Sequence, residues 1–113
     1  MTGLSFPHLN LPGLFEINET GTILYARTGP YEDTGPITDI TGRNFFELAG
    51  PEIRIELRER IRRFVKSRNQ ADSFYVTHRL PVGDRRVKVV LGRIRHRSES
   101  YEATSVLIHF REA

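Results

Sequence analysis

Tyr25, Asp39 and His78 are the side chains of this 113-residue chain best suited to moving a proton, and the imidazoles of His78 and His109 could also ligate iron. Cysteine is absent, which removes disulfides, thiolate metal sites, cysteine nucleophiles and every cofactor attached through a thiol. Spacing adds little. The sequence has no Ser/His/Asp constellation, no phosphate-binding glycine loop and no metal-ligand motif. From Phe74 to Leu80, strand alternation puts His78 on one face with Phe74, Val76 and Leu80, whereas His109 shares a face with Leu107 and Arg111. Only His78 is expected to face inward. A single histidine on an apolar strand face is more often a hydrogen-bonded core or rim residue than a ligand. His8 and His96 read as surface residues. An unperturbed imidazole titrates near pH ~6.5, so a buried His78 could make the domain pH-sensitive.

The residue types point more clearly to binding than to catalysis. Phe46, Phe64, Phe74, Val76, Val89 and Leu91 can line an apolar pocket, with Tyr25 and His78 as its polar contacts. Such a mixture suits a small, mostly apolar ligand held by a few oriented polar groups. The same residues would equally fill a closed core, and a tyrosine at a strand end is common there with its hydroxyl at the rim.

Hydrophobic period and punctuation define the elements that must position these residues. Leu14 to Ile17 and Thr22 to Ala26 are β-prone runs around Asn18-Glu19-Thr20-Gly21, where Gly21 can supply the positive φ of a hairpin turn. Between Thr28 and Thr41, Gly29, Pro30, Gly35 and Pro36 break any long helix and predict a folded-over loop region. From Pro51 onward, Ile53, Leu57, Ile61, Phe64 and Val65 recur at helical spacing and predict an amphipathic helix. Ser73 to Leu80, Arg86 to His96 and Ala103 to Arg111 then read as a β-meander.

Length allows one domain, residues 13–113, preceded by residues 1–12 as an N-terminal cap or dimerisation segment bearing Leu4, Phe6, Leu9 and Leu11. No apolar run approaches the ~20 residues that cross a bilayer, and the first residues lack a signal-peptide pattern, so a cytoplasmic location is expected and no membrane partner. Charge is uneven: residues 1–52 carry two Lys/Arg against seven Asp/Glu, and residues 53–113 fifteen against seven. Arg54, Arg58, Arg62, Arg63, Lys66 and Arg68 lie largely off the apolar helix stripe, and Glu56/Arg60 and Glu59/Arg63 have the spacing of i,i+4 pairs. A solvated, salt-bridged face is the expectation. No groove-entering or stacking motif accompanies the charge, which argues against nucleic-acid binding.

Within this frame, Ile40 to Ala49, ITGRNFFELA, resembles the middle of a PAS sensory domain, most closely the photoactive yellow protein-like branch of that family. Gly13 to Ala26 resembles the opening PAS hairpin and Val87 to Leu91 a late strand, so with the spacing the resemblance spans nearly the whole chain. It implies an α+β PAS fold: a five-stranded antiparallel sheet with short helices and one longer helix packed on one face. Tyr25 matches the tyrosine that donates to the chromophore phenolate in that branch, but Gly29 stands where a buried glutamate is expected, and Gly50 or Pro51 where the chromophore cysteine would be. A covalent coumaroyl chromophore and a cysteine-adduct flavin are therefore excluded. Haem members commonly use a histidine on the long helix, and residues 51–70 contain none, so that ligation is not expected.

The expectation is a non-enzymatic sensory or regulatory module in signal transduction. It would bind a small ligand in an apolar pocket, a signalling effector protein, or both, and form a homodimer. The alternative is a ligand-free homodimerisation or scaffold module. An isomerase-like small enzyme, with Asp39, His78 or Tyr25 as acid or base, is more remote because that fold usually begins with helices.

Overall fold

The structure is a computed structural model that describes residues 13–28, 40–49, 51–81, 83–100 and 102–112. The chain runs β1 (Gly13–Ile17), β2 (Ile23–Thr28), α1 (Phe45–Leu48), α2 (Pro51–Lys66), β3 (Ala71–Leu80), β4 (Gly83–Arg97) and β5 (Glu102–Glu112). The strands form one five-stranded sheet in the order β2-β1-β5-β4-β3, antiparallel at every junction. This is an α+β fold with a five-stranded antiparallel sheet. The three C-terminal strands outrun their apolar segments, and β4 begins at Gly83 rather than near Arg86. Ladder hydrogen bonds are made by the backbone, so pairing continues into residues whose side chains are polar and exposed. Residues 1–12, expected as a cap or dimer element, and residues 29–39 of the expected loop region lie outside the described residues.

The first hairpin closes through Asn18. Its Oδ1 accepts from the amides of Thr20 at 3.0 Å and Thr22 at 2.9 Å and from the Thr20 hydroxyl at 2.8 Å. Gly21 has φ +91°, a conformation that side chains with a Cβ seldom adopt. Segment 40–45 is then laced to the hairpin by backbone bonds: Gly42 N–H donates to Ile23 O, Ile23 N–H to Arg43 O, and Phe45 N–H to Gly21 O. Asn44 caps α1, its Oδ1 accepting from Phe46 N–H at 2.9 Å.

On α2, Ile53, Leu57, Ile61 and Phe64 are buried and Val65 is half-buried, as the spacing predicts. They cover the sheet face bearing Phe15, Ile17, Phe74, Val76, Val89, Leu91, Val106, Ile108 and Phe110, forming one hydrophobic core. At its centre the Phe15 ring meets Phe45 edge-on at 5.4 Å and Phe110 at 5.9 Å, and Phe45 stacks on Phe110 at 6.3 Å. Ser67 stops the helix, its hydroxyl donating to Phe64 O at 2.7 Å. Arg93 from β4 reaches the same end. Its Nη2 donates to Phe64 O at 2.7 Å and Ser67 O at 2.9 Å, its Nε to Asn69 O at 3.1 Å, and the guanidinium lies 4.9 Å from the Phe64 ring centre.

The basic helix face is organised differently from the sequence expectation. Neither Glu56/Arg60 nor Glu59/Arg63 closes an ion pair; Arg97–Glu102, at 3.1 Å, lies elsewhere, on β4 and β5. Arg60 instead lies over the Phe74 ring at 5.0 Å, where cation–π attraction and burial of its stem replace an exposed ion pair of small net value.

Candidate functional site

A cleft of about 480 Å³ separates the first hairpin turn from α2. One bank is the turn itself, Asn18 to Gly21, continued by Asn44 and Phe46. The other is the α2 face that presents Arg58, Ile61, Arg62, Val65 and Lys66. Helical geometry explains the second bank: positions 58, 62 and 66 follow at intervals of four, so three cations line up one above the other beside the core-facing Ile61 and Val65. The backbone explains the first. Asn44 starts α1 in the orientation that sends Phe45 into the core and leaves Phe46 half-buried at the cleft. A Cβ at position 21 would lie 3.1 Å from the Phe46 ring, so glycine there makes the close approach of turn and ring possible. Arg58 lies 5.4 Å from the Phe46 ring centre.

Among the described side chains of the sequence-derived pocket set, Phe46 borders this cleft. Phe64, Phe74, Val76, Val89 and Leu91 are brought together, each no more than 4% exposed, within the closed core. Tyr25 is half-buried and cross-strand from Glu16, on the opposite side of the sheet from the adjacent buried pair Phe15 and Ala26. His78 pairs through its backbone with Arg85, and its side chain lies outside the described residues. Asp39 lies outside them too. The cationic bank is composed of residues that the sequence assigned to a solvated face. Their i, i+4, i+8 spacing was visible; the hairpin turn facing them was not.

A second group escaped sequence reasoning entirely. Glu16, His96 and Ser105, from β1, β4 and β5, converge: Ser105 Oγ donates to Glu16 Oε2 at 2.6 Å, and His96 Nε2 lies 3.0 Å from that oxygen and 3.1 Å from Ser105 Oγ. The residue types are those of a nucleophile, base and carboxylate, but the connectivity differs. Nucleophile activation needs the hydroxyl proton directed at the imidazole and the carboxylate on the other ring nitrogen. Here the serine proton points at the carboxylate, both partners share Nε2, and Ser105 is 1% exposed. The trio acts as a polar clasp across three strands. Only the register, which places Ile94 opposite Ser105 and His96 opposite Ala103, brings residues so far apart in sequence within reach.

His109 sits on the sheet face away from the core, beside Leu14 of β1 and Val90 of β4. Desolvation by burial, and then the charge of Arg111, hold its imidazole below the ordinary pKa. The unfolded chain therefore takes up this proton at a higher pH than the folded one. The resulting stability is fully present above the ordinary imidazole range and is lost as pH falls through that range toward the folded-state value. Thermal melts at pH 7.5 and pH 5 should show a larger acid-induced loss in the parent protein than in His109→Gln; equal losses would remove His109 as a contributor.

A further concavity of about 370 Å³ beside the end of α2 is bounded by Ser67, Arg68, Arg93, Arg95, Glu102 and Thr104. One of its cations, Arg93, is already committed to helix carbonyls. Among the described residues no three His, Asp or Glu side chains are placed to hold a metal ion, and no helix is long and apolar enough to cross a membrane. No family model matches the chain, and no curated protein matches it.

Proposed function

We propose that this protein is a sensory or regulatory module of the PAS type, which binds a small molecule beside α2 and passes the change in helix packing to a partner protein. The observation that carries this proposal is the cleft between the hairpin turn and α2, since it lies at the seam between two parts of the domain that a ligand could draw together. The element order, two strands, two helices among the described residues and three strands, supports the reading, as does the resemblance of Gly13 to Ala26 and Ile40 to Ala49 to PAS segments. A ligand with higher affinity for one arrangement of turn and helix shifts the population toward it, and that difference in affinity is the signal.

Native mass spectrometry of protein purified from cells, followed by a thermal-shift screen of small metabolites, tests this. The expected result is a retained or added small molecule that raises the melting temperature and slows amide exchange in both α2 and the hairpin turn. A bare protein mass with no stabiliser in the screen would overturn the sensory reading, and dimer mass under those conditions would favour a scaffold.

A further inference from the structure

We infer that the cleft between the hairpin turn and α2 takes an amphipathic anion: an apolar, preferably aromatic, body carrying one carboxylate or comparable acidic group. This deepens the proposed function and rests on it only for the signalling role, not for the binding. Three independent observations carry it.

The first is charge. Arg58, Arg62 and Lys66 are exposed on one wall, and Glu19 is the one carboxylate among the described residues that line the cleft. None of the three cations belongs to an ion pair among the described residues. Like charges four residues apart weaken a helix by about 0.2–0.5 kcal/mol per pair, a small repulsion that an anion held between them would relieve. The second is the floor. Phe46 is kept at the cleft by the Asn44 cap and the glycine at position 21, although the neighbouring Phe45 shows that the core accepts a ring from this segment. With Ile61 and Val65 also lining the cleft, Phe46 adds apolar surface beside Arg58, whose guanidinium lies 5.4 Å from its ring centre. The third is size. About 480 Å³ is within the range of small-molecule sites and exceeds the needs of an inorganic ion. Cations alone would suit phosphate, and an apolar floor alone would suit a neutral hydrophobe; their conjunction specifies a molecule with both parts. Arginine at 58 and 62 also favours a planar carboxylate, which a guanidinium can engage through two parallel hydrogen bonds.

The probe is 1-naphthylacetate, with 2-(1-naphthyl)ethanol as its neutral counterpart and acetate as its headgroup alone. Titrations are followed by amide chemical shifts and calorimetry in low salt. Naphthylacetate is expected to perturb residues 19–21, 44–46 and 58–66, to bind about tenfold or more tightly than the alcohol, and to weaken as salt rises. Arg62→Gln combined with Lys66→Gln, both at exposed positions, should lower naphthylacetate affinity about tenfold while leaving the melting temperature unchanged. Equal affinity for the alcohol, perturbations centred elsewhere, or unchanged affinity in the double variant would each overturn the inference. If naphthylacetate fails while the metabolite screen yields a stabiliser, the anionic assignment falls and the sensory reading survives. If naphthylacetate binds the cleft as stated but no amide exchange changes in α2, the inference holds and the sensory reading fails.

Discussion

Phe45→Ala is expected to destabilise the fold by about 3–5 kcal/mol, the range for truncating a buried phenylalanine, and to lower the melting temperature by roughly 15 °C or more. The ring is 0% exposed and lies within 6.3 Å, centre to centre, of both Phe15 and Phe110, so its removal leaves a void bordered by two strands and α1 that cannot easily collapse. Its neighbour supplies the control. Phe46 is half-buried at the cleft, and Phe46→Ala should cost only about 1 kcal/mol of burial. Denaturant titrations of the two variants check the difference. Equal losses would mean that segment 44–48 does not divide its two rings between core and cleft.

Arg93→Met should be the next most damaging change, at about 2–3 kcal/mol. Methionine retains an apolar stem against Phe64 but removes donors from Phe64 O, Ser67 O and Asn69 O. Hydrogen bonds from a charged donor are worth about 1.5–3 kcal/mol each before solvent exposure reduces them, and the carbonyl end of a helix carries partial negative charge that a cation offsets. Arg93→Lys should recover part of the loss, because an ammonium restores the charge but not the planar fork that reaches several carbonyls at once. Urea melts with amide exchange of residues 64–69 would check this: a lysine variant as stable as the parent would show that charge alone is at work.

Much of the fold was legible because its signals are local. Alternation marks β1 and the C-terminal strands, the Asn18 to Gly21 turn has the residue types its geometry needs, and the Ile53, Leu57, Ile61, Phe64 stripe identifies α2 and its buried face. The candidate site was far less legible. Phe64, Phe74, Val76, Val89 and Leu91 are apolar for the same reason whether they line a cavity or fill a core, and only packing separates the two outcomes. The cations of the cleft were read as solvent-facing because helical spacing reveals which side chains share a stripe, not which loop folds opposite. Arg93 was one of several arginines in a β-rich run. Its role depends on β4 passing the end of α2, a long-range coincidence that no sequence window contains. The Glu16, His96 and Ser105 clasp was hidden for the same reason.

The sheet order has one more consequence. β3 is an edge strand, and the β3–β4 hairpin loses its buried side chains toward its turn: Val76 and Val87 belong to the core, whereas Thr77, Arg79, Asp84, Arg85 and Arg86, in the ribbon of pairs Thr77/Arg86, His78/Arg85, Arg79/Asp84 and Leu80/Gly83, are exposed. An isolated hairpin is marginal in water. The ribbon is therefore expected to open and close as a unit with its own, smaller free energy, while Phe74 and Val76 keep the rest of β3 tied to the core. Proteases that cut after arginine should reach Arg79 and Arg86 in the native protein, at a rate that core substitutions leave nearly unchanged. The domain thus has two stabilities: one for its packed body and one for an arm that can rearrange without unfolding it.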